Sequence, residues 1–204
     1  KGKIALPGLV NLPTHGAMTL FRGYGDDMDL SAWLETRIWP AEARLTPEDV
    51  YWGTKLACLE MIKTGTTTFN DMYFHMDRAA KAAKEMGLRA FLSEGIVDLG
   101  DPDRAKAQLK RVDDVNRKIE AMKMDRIVPV LGPHTIYTVS KETLLAVREV
   151  ADKKGYMIHT HLSETKREVD DCIAQTGLRP AQYLDRIGFL AKDVIAAHGC
   201  WLDP

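Results

Sequence analysis

Five of the six histidines in this 204-residue sequence stand at or just beyond the ends of short apolar runs: His15 in LPGLVNLPTHGAM, His134 in VLGPHTIYTVS, His159 and His161 in IHTHLSET, and His198 in VIAAHG. One such histidine is ordinary; the same placement in successive units suggests a shared site. IHTHLSET is the densest cluster. Side chains alternate along a strand, so His159 and His161 share a face, and Glu164 follows at the turn into the next helix. Imidazoles bind divalent metals, and a nearby carboxylate can relay protons to and from a water on the metal. The blander alternative is that one imidazole packs inside the fold and Glu164 merely starts a helix; for His159 alone, packing is the favoured reading. His198 could bind a metal or hydrogen-bond its water. His134 follows Gly-Pro and could meet a ring nitrogen or leaving group, or simply bond to loop backbone. Within LSAWLETRIWPAE, Trp33 and Glu42 lie in a loop region and could hold a flat heterocycle and a sugar diol, or Trp33 and Trp39 could pack a helix. His75 falls outside the pattern and reads as a surface residue.

These groups need elements to hold them. Strands are expected at Ile4–Val10, Thr66–Phe69, Arg89–Ile96, Ile127–Leu131, Tyr156–His161 and Val194–Ala197. Helices alternate with them. Thr46 caps one that has Pro47 at its first position, Glu48 and Asp49 in its first turn, and Gly65 at its end. Others are expected over Asp77–Met86 before Gly87, Asp103–Met122, Lys141–Lys154 between Ser140 and Gly155, from Thr165 to near Gly177, and over Arg179–Ile187. This alternation implies a parallel sheet with helical crossovers. Polar residues close nearly every strand: Asn11 and His15, Asn70 and Asp71, Glu94, His134, the His159–His161–Glu164 group, and His198. A barrel enzyme assembles its site from such strand ends, whereas an open doubly wound sheet concentrates its ligand at one switch point, often with a glycine-rich loop that is missing here. The expected fold is therefore α/β, about six units of a (β/α)8 barrel, forming one domain over 1–204.

Composition narrows the function classes. A formal charge of −1 and a hydrophobic fraction of 45% describe an ordinary globular chain, with no basic bias toward nucleic acid and no apolar run long enough to span a bilayer. Cys58, Cys172 and Cys200 are widely spaced and form no CxxC pair, which favours reduced thiols and a cytoplasmic setting. Lys1 opens the chain without Met and Pro204 follows an apolar run, so both ends are expected to be cut from something longer.

PGLVN…THGAMTLFRGYGDD, W…WPAE, GTTTFNDM, GPHTIYTVS, HTHLSET and VIAAHG, in that order, resemble the amidohydrolase superfamily, closest to its 5-methylthioadenosine/S-adenosylhomocysteine deaminase branch. The resemblance implies a metal-dependent (β/α)8 barrel whose flanking β-sandwich is absent from this chain. It implies His15 and His161 as metal ligands, Glu164 as acid/base, His198 as the residue orienting the attacking water, and Trp33, Glu42 and His134 as substrate contacts, Glu42 toward ribose hydroxyls. One divalent metal is implied, zinc with iron as the alternative, acting on a small nucleoside-like substrate with no nucleic-acid or membrane partner and with homo-oligomers possible. The implied reaction is hydrolytic deamination of a 5′-substituted adenosine. Guanine or cytosine deamination, triazine hydrolysis, or a non-catalytic homologue are the alternatives. Three departures stand out. Pro13 occupies the first position of the family's first-strand His-x-His pair and has no donor atom for a metal. The family's eighth-strand Asp has no counterpart here. Glu94 sits where some relatives carry a basic residue that touches substrate.

Overall fold

A computed structural model of the protein describes residues 2–203. The chain enters through β1 (Leu9–Thr14), a 3-10 turn (Gly16–Phe21), and a short helical segment in which α1 (Leu30–Trp33) passes through a π-helical turn (Leu34–Ile38) into α2 (Trp39–Glu42). Then come α3 (Pro47–Thr64), β2 (Thr66–Tyr73), α4 (Met76–Met86), β3 (Arg89–Ile96) and α5 (Pro102–Glu120). The last elements are β4 (Ile127–Pro133), α6 (Lys141–Lys154), β5 (Ile158–Leu162), α7 (Lys166–Thr176), α8 (Pro180–Arg186) and β6 (Val194–His198).

All six strands are parallel and lie in sequential order, β1 to β6. That is a barrel's order, not a doubly wound sheet's. Flat strands spaced about 4.8 Å apart would put β1 and β5 about 19 Å from each other. The ring centroids of His15, just after β1, and His161 on β5 are 5.4 Å apart, so the sheet curls strongly and brings its strand ends together. Helices cover the outer face. Phe69, Leu92 and Met76 are fully buried between the sheet, α3 and α4, while Ile158, Leu144, Leu184 and Phe189 form a second core beside α6 and α8. Burying a side chain of this size stabilises by about 2 kcal/mol.

Local signals set the helix ends. The Thr46 hydroxyl accepts from the Asp49 amide and the Asp49 carboxylate accepts from the Thr46 amide, a reciprocal cap. Gly65, at φ 86°, then ends α3 in a left-handed turn. Two expectations need correction. The first strand is Leu9–Thr14, not Ile4–Val10, because pairing begins only where the Leu9 amide donates to the Gly65 carbonyl. Pro13 is accommodated because β1 lies at the sheet edge, where a missing amide breaks no outer ladder. Trp33 and Glu42 lie not in a loop but at the ends of α1 and α2.

Candidate active site

The strand ends bring five imidazoles into one cluster. The His161 ring lies 5.4 Å from that of His15, 4.9 Å from His134, 5.7 Å from His159 and 5.2 Å from His198. Backbone carbonyls fix two of the tautomers. His15 Nδ1 bonds to the Met72 carbonyl, and His161 Nδ1 bonds to the His134 carbonyl at 3.0 Å. A carbonyl can only accept, so both Nδ1 atoms carry the proton and both Nε2 atoms present a lone pair when neutral. The His161 Nε2 is buried with no hydrogen-bond partner. Burial, helped by the neighbouring imidazoles, lowers the His161 pKa to about 2 and that of His159 to about 3. Burial likewise lowers His15, opposed by its bond to Met72. His159 itself is fully buried, with Nδ1 3.2 Å from Ser93 Oγ, whose own proton goes to the Asp71 carbonyl at 2.8 Å. Its packing role is therefore explicit.

Glu164 and His198 face each other at the mouth of this cluster, Oε2 to Nε2 3.6 Å, both partly open to solvent. A residue that carried no functional expectation holds Glu164 in place. Glu168 turns back from the first turn of α7, and its carboxylate accepts from the Ser163 and Glu164 amides, each at 2.8 Å. The sequence signal existed, since Thr165-x-x-Glu168 is a capping-box spacing. His134 follows β4, with Nδ1 2.9 Å from Thr138 Oγ1, and burial lowers its pKa to about 4.

Glu42 lies on a cavity of about 200 Å³ that Tyr73, Phe74, His75 and Arg111 also line. Burial raises its pKa, opposed by the facing Tyr73 hydroxyl. The Tyr73 ring packs 6.3 Å from that of His15, so one side chain spans the distance from the histidine cluster to this cavity. His75 is half-buried on the cavity wall and not a surface residue, because a left-handed φ of 56° turns the chain there into α4. Glu94 also departs from a substrate-facing role. Its buried carboxylate caps α4 through the His75 and Met76 amides, at 3.2 and 2.9 Å, and pairs with Arg111 at 2.5 Å. Trp33 is not brought to the histidines by any contact among the described residues; its ring edge lies against Gly25, beside the Arg37 side chain.

Two imidazoles with free Nε2 atoms suit a divalent transition metal, and the partnerless buried Nε2 of His161 is the observation that fits one. The set is incomplete. Pro13 offers no donor, and among the described residues no three His, Cys, Asp or Glu side chains form a metal-holding group, whereas catalytic zinc ordinarily takes three protein ligands. No helix of the described residues is long and apolar enough to cross a membrane.

Comparison with known proteins agrees with the fold. Residues 4–204 match the model of the Amidohydrolase family. The chain is 51% identical over 201 residues to a 5′-deoxyadenosine deaminase of Methanospirillum hungatei, covering 98% of this chain and 45% of the relative. It is 49% identical over 202 residues to a 5-methylthioadenosine/S-adenosylhomocysteine deaminase of Thermococcus sibiricus, covering 99% of this chain and 48% of that protein. The crystal structure of a zinc-bound adenosine deaminase from Xanthomonas campestris superposes with a TM-score of 0.88 at 38% identity, over 97% of this chain and 45% of that one. A guanine deaminase from C. acetobutylicum, at 20% identity and a TM-score of 0.82, shares the fold. The chain spans about half the length of the curated relatives it matches. With six parallel βα units in barrel order and the family model matched over almost all of its length, the chain belongs to the amidohydrolase family.

Proposed function

We propose that this chain is the histidine-bearing part, a single partial-barrel domain over 1–204, of a hydrolase that deaminates 5′-substituted adenosines. The observation that carries the reading is the convergence of His15, His134, His161, Glu164 and His198 from the ends of β1, β4, β5 and β6 on one mouth. The deaminase names of relatives at about half identity support the substrate class. His15 and His161 would hold a divalent ion, for which the zinc of the Xanthomonas structure argues. When bound, the ion supplies acidification of a water and neutralisation of negative charge near the reacting carbon. Glu164 takes the proton released as the water oxygen joins the amino-bearing purine carbon, and returns it as the C–N bond breaks and ammonia leaves. His198, opposite Glu164, orients the attacking oxygen. His134 meets a ring nitrogen, Glu42 accepts from ribose hydroxyls, and Trp33 is assigned a substrate contact by family resemblance alone.

These 204 residues alone are not expected to turn over, so the test is ammonia release by the protein with its whole barrel, from 5′-deoxyadenosine, 5′-methylthioadenosine and S-adenosylhomocysteine, beside guanine and a chlorotriazine. Release from the adenosines alone is expected. Turnover of only guanine or the triazine would move the chain to another branch. Pro13 favours a second reading, a homologue without metal chemistry. Near-stoichiometric divalent metal in the purified protein would exclude it.

A further inference from the structure

We infer that Thr135 and Thr138 form a hydroxyl relay that fixes the tautomer of His134, so that its Nε2 faces the site as a hydrogen-bond donor. Three distances carry the inference. His134 Nδ1 lies 2.9 Å from Thr138 Oγ1, and Thr138 Oγ1 lies 3.0 Å from Thr135 Oγ1 and 3.4 Å from the Thr135 carbonyl. Thr135 is fully buried and Thr138 is 5% exposed, so neither hydroxyl has ready access to water. Each hydroxyl has one proton to give.

Thr138 Oγ1, at 3.0 Å, is the nearest side-chain partner of the Thr135 hydroxyl; the Tyr137 phenol also bonds to Thr135 and, half-exposed, has a proton of its own to give. A buried donor left unmade costs about 1–3 kcal/mol; with the Tyr137 phenol donating to Thr135, the Thr135 proton goes to Thr138. The Thr138 proton then has two remaining acceptors. The Thr135 carbonyl is the more distant, and it already takes the Val139 amide at 3.0 Å and the Thr138 amide at 3.3 Å. His134 Nδ1, at 2.9 Å, is nearer and has its lone pair free. The relay thus runs Thr135 to Thr138 to Nδ1, and the imidazole proton is left on Nε2. This is opposite to His15 and His161, whose Nδ1 atoms must donate to carbonyls. One cluster therefore holds two kinds of neutral imidazole: lone pairs on His15 and His161, and an N–H on His134. Such an N–H selects a ring that offers a lone pair in its plane. Thr138 is a positioning residue, and the inference rests on the reading of His134 as the group that meets a substrate ring nitrogen.

Long-range proton–nitrogen correlation spectra of the nitrogen-15-labelled full chain test the relay at about pH 8, above the ordinary histidine pKa. His134 is assigned by the signals lost in His134→Gln. Expected is a proton on Nε2 and an Nδ1 resonance displaced by an accepted hydrogen bond. Thr138→Val should abolish that displacement, and Thr138→Ser should restore it. A proton on Nδ1 in the wild type, or an Nδ1 signal indifferent to Thr138→Val, overturns the inference. Should the valine variant not fold, the wild-type tautomer and the serine variant still decide it. Ammonia release from 5′-deoxyadenosine by the protein with its whole barrel, measured in parallel, reports on the functional reading separately: its absence overturns that reading while the spectrum still decides the relay. Where turnover is present, Thr138→Val is expected to lower kcat/KM by about tenfold, the worth of one hydrogen bond, and an unchanged kcat/KM would remove the positioning role.

Discussion

At the scale of single residues, the cluster is built from imidazoles that stay neutral. His134, His159 and His161 are held at about 4, 3 and 2 by burial and by one another, against an ordinary value of 6.5. In the unfolded chain each protonates near that ordinary value. Below it the unfolded state binds more protons, so stability is full above about pH 6.5 and falls as acid is added, by up to about 1.4 kcal/mol per pH unit for each histidine. The decline from His134 ends near pH 4. Asp71, raised to about 7 by complete burial, runs the other way, as do Glu42, Glu94 and Glu168, which burial also raises, while His15 and His75, lowered by burial, add to the decline. The metal-free protein should therefore show a urea midpoint that drops steadily from pH 6.5 to 5; a flat or rising midpoint would contradict the neutral cluster. Pro13 makes the second prediction at this scale. Residue 13 stands two before His15 at the end of β1, the spacing that puts side chains on one face of a strand, so Pro13→His is expected to place an imidazole beside His15. Changing a group behind a metal ligand alters affinity 10–100-fold, so a direct ligand should raise zinc affinity by about tenfold or more. Competition against a chromophoric chelator measures it, and an unchanged affinity would mean that position 13 does not face the ion.

At the scale of elements, strand spacing and loop anchoring place the cluster. Gly132 on β4 is the tightest point beneath it: a Cβ there would lie 2.8 Å from the Ser93 Cβ and 2.9 Å from the Glu94 carbonyl oxygen. Gly132→Ala must push β3 and β4 apart or move Ser93 off His159, at a cost of about 1–3 kcal/mol. Gly95→Ala, whose nearest neighbour would be 3.6 Å away, should be almost neutral in the same urea measurement. Equal effects would show that the close approach does not matter. Before β6, Arg148 on α6 grips Asp193 with Nη1–Oδ1 at 2.8 Å and Nη2–Oδ2 at 2.5 Å. Asp193→Asn strands a buried guanidinium on Asp152 alone and should cost about 2 kcal/mol after allowance for partial exposure. Much of this scale was legible in the sequence, because caps are local: Ser140 and Gly155 bound α6 as expected, and Arg89–Ile96 is β3 to the residue. What was not legible depends on partners far along the chain. The apolar run from Ile4 looks like a strand, but only the Gly65 carbonyl decides where pairing starts. His75 looks exposed until Glu94, nineteen residues on, draws its amide inward. Glu42 was recognisable as a candidate, yet Tyr73, which links it to His15, carried no signal.

At the scale of the whole molecule, the sheet's two outer strands govern behaviour in solution. Among the described residues no ladder joins β1 to β6, so each has a row of backbone groups without a strand partner. On β1 this edge is also apolar, with Leu9, Val10 and Leu12 exposed by 62%, 58% and 51%. An edge both unpaired and apolar templates further strands. A second apolar surface, Trp52, Leu56 and Leu59, runs along the outside of α3 at helical spacing. We expect the 204-residue chain to associate with rising concentration, and two substitutions separate the surfaces responsible. Leu12→Lys puts a charge on the edge and Leu56→Glu puts one on the helix. Sedimentation velocity across a concentration series should show Leu12→Lys shifting the distribution toward monomer, because an edge offers hydrogen bonds as well as apolar area, while Leu56→Glu leaves most association in place. The reverse result would make the α3 face the contact. A wild-type chain that stays monomeric throughout would show that the curl bringing His15 within 5.4 Å of His161 already shields the edge of β1.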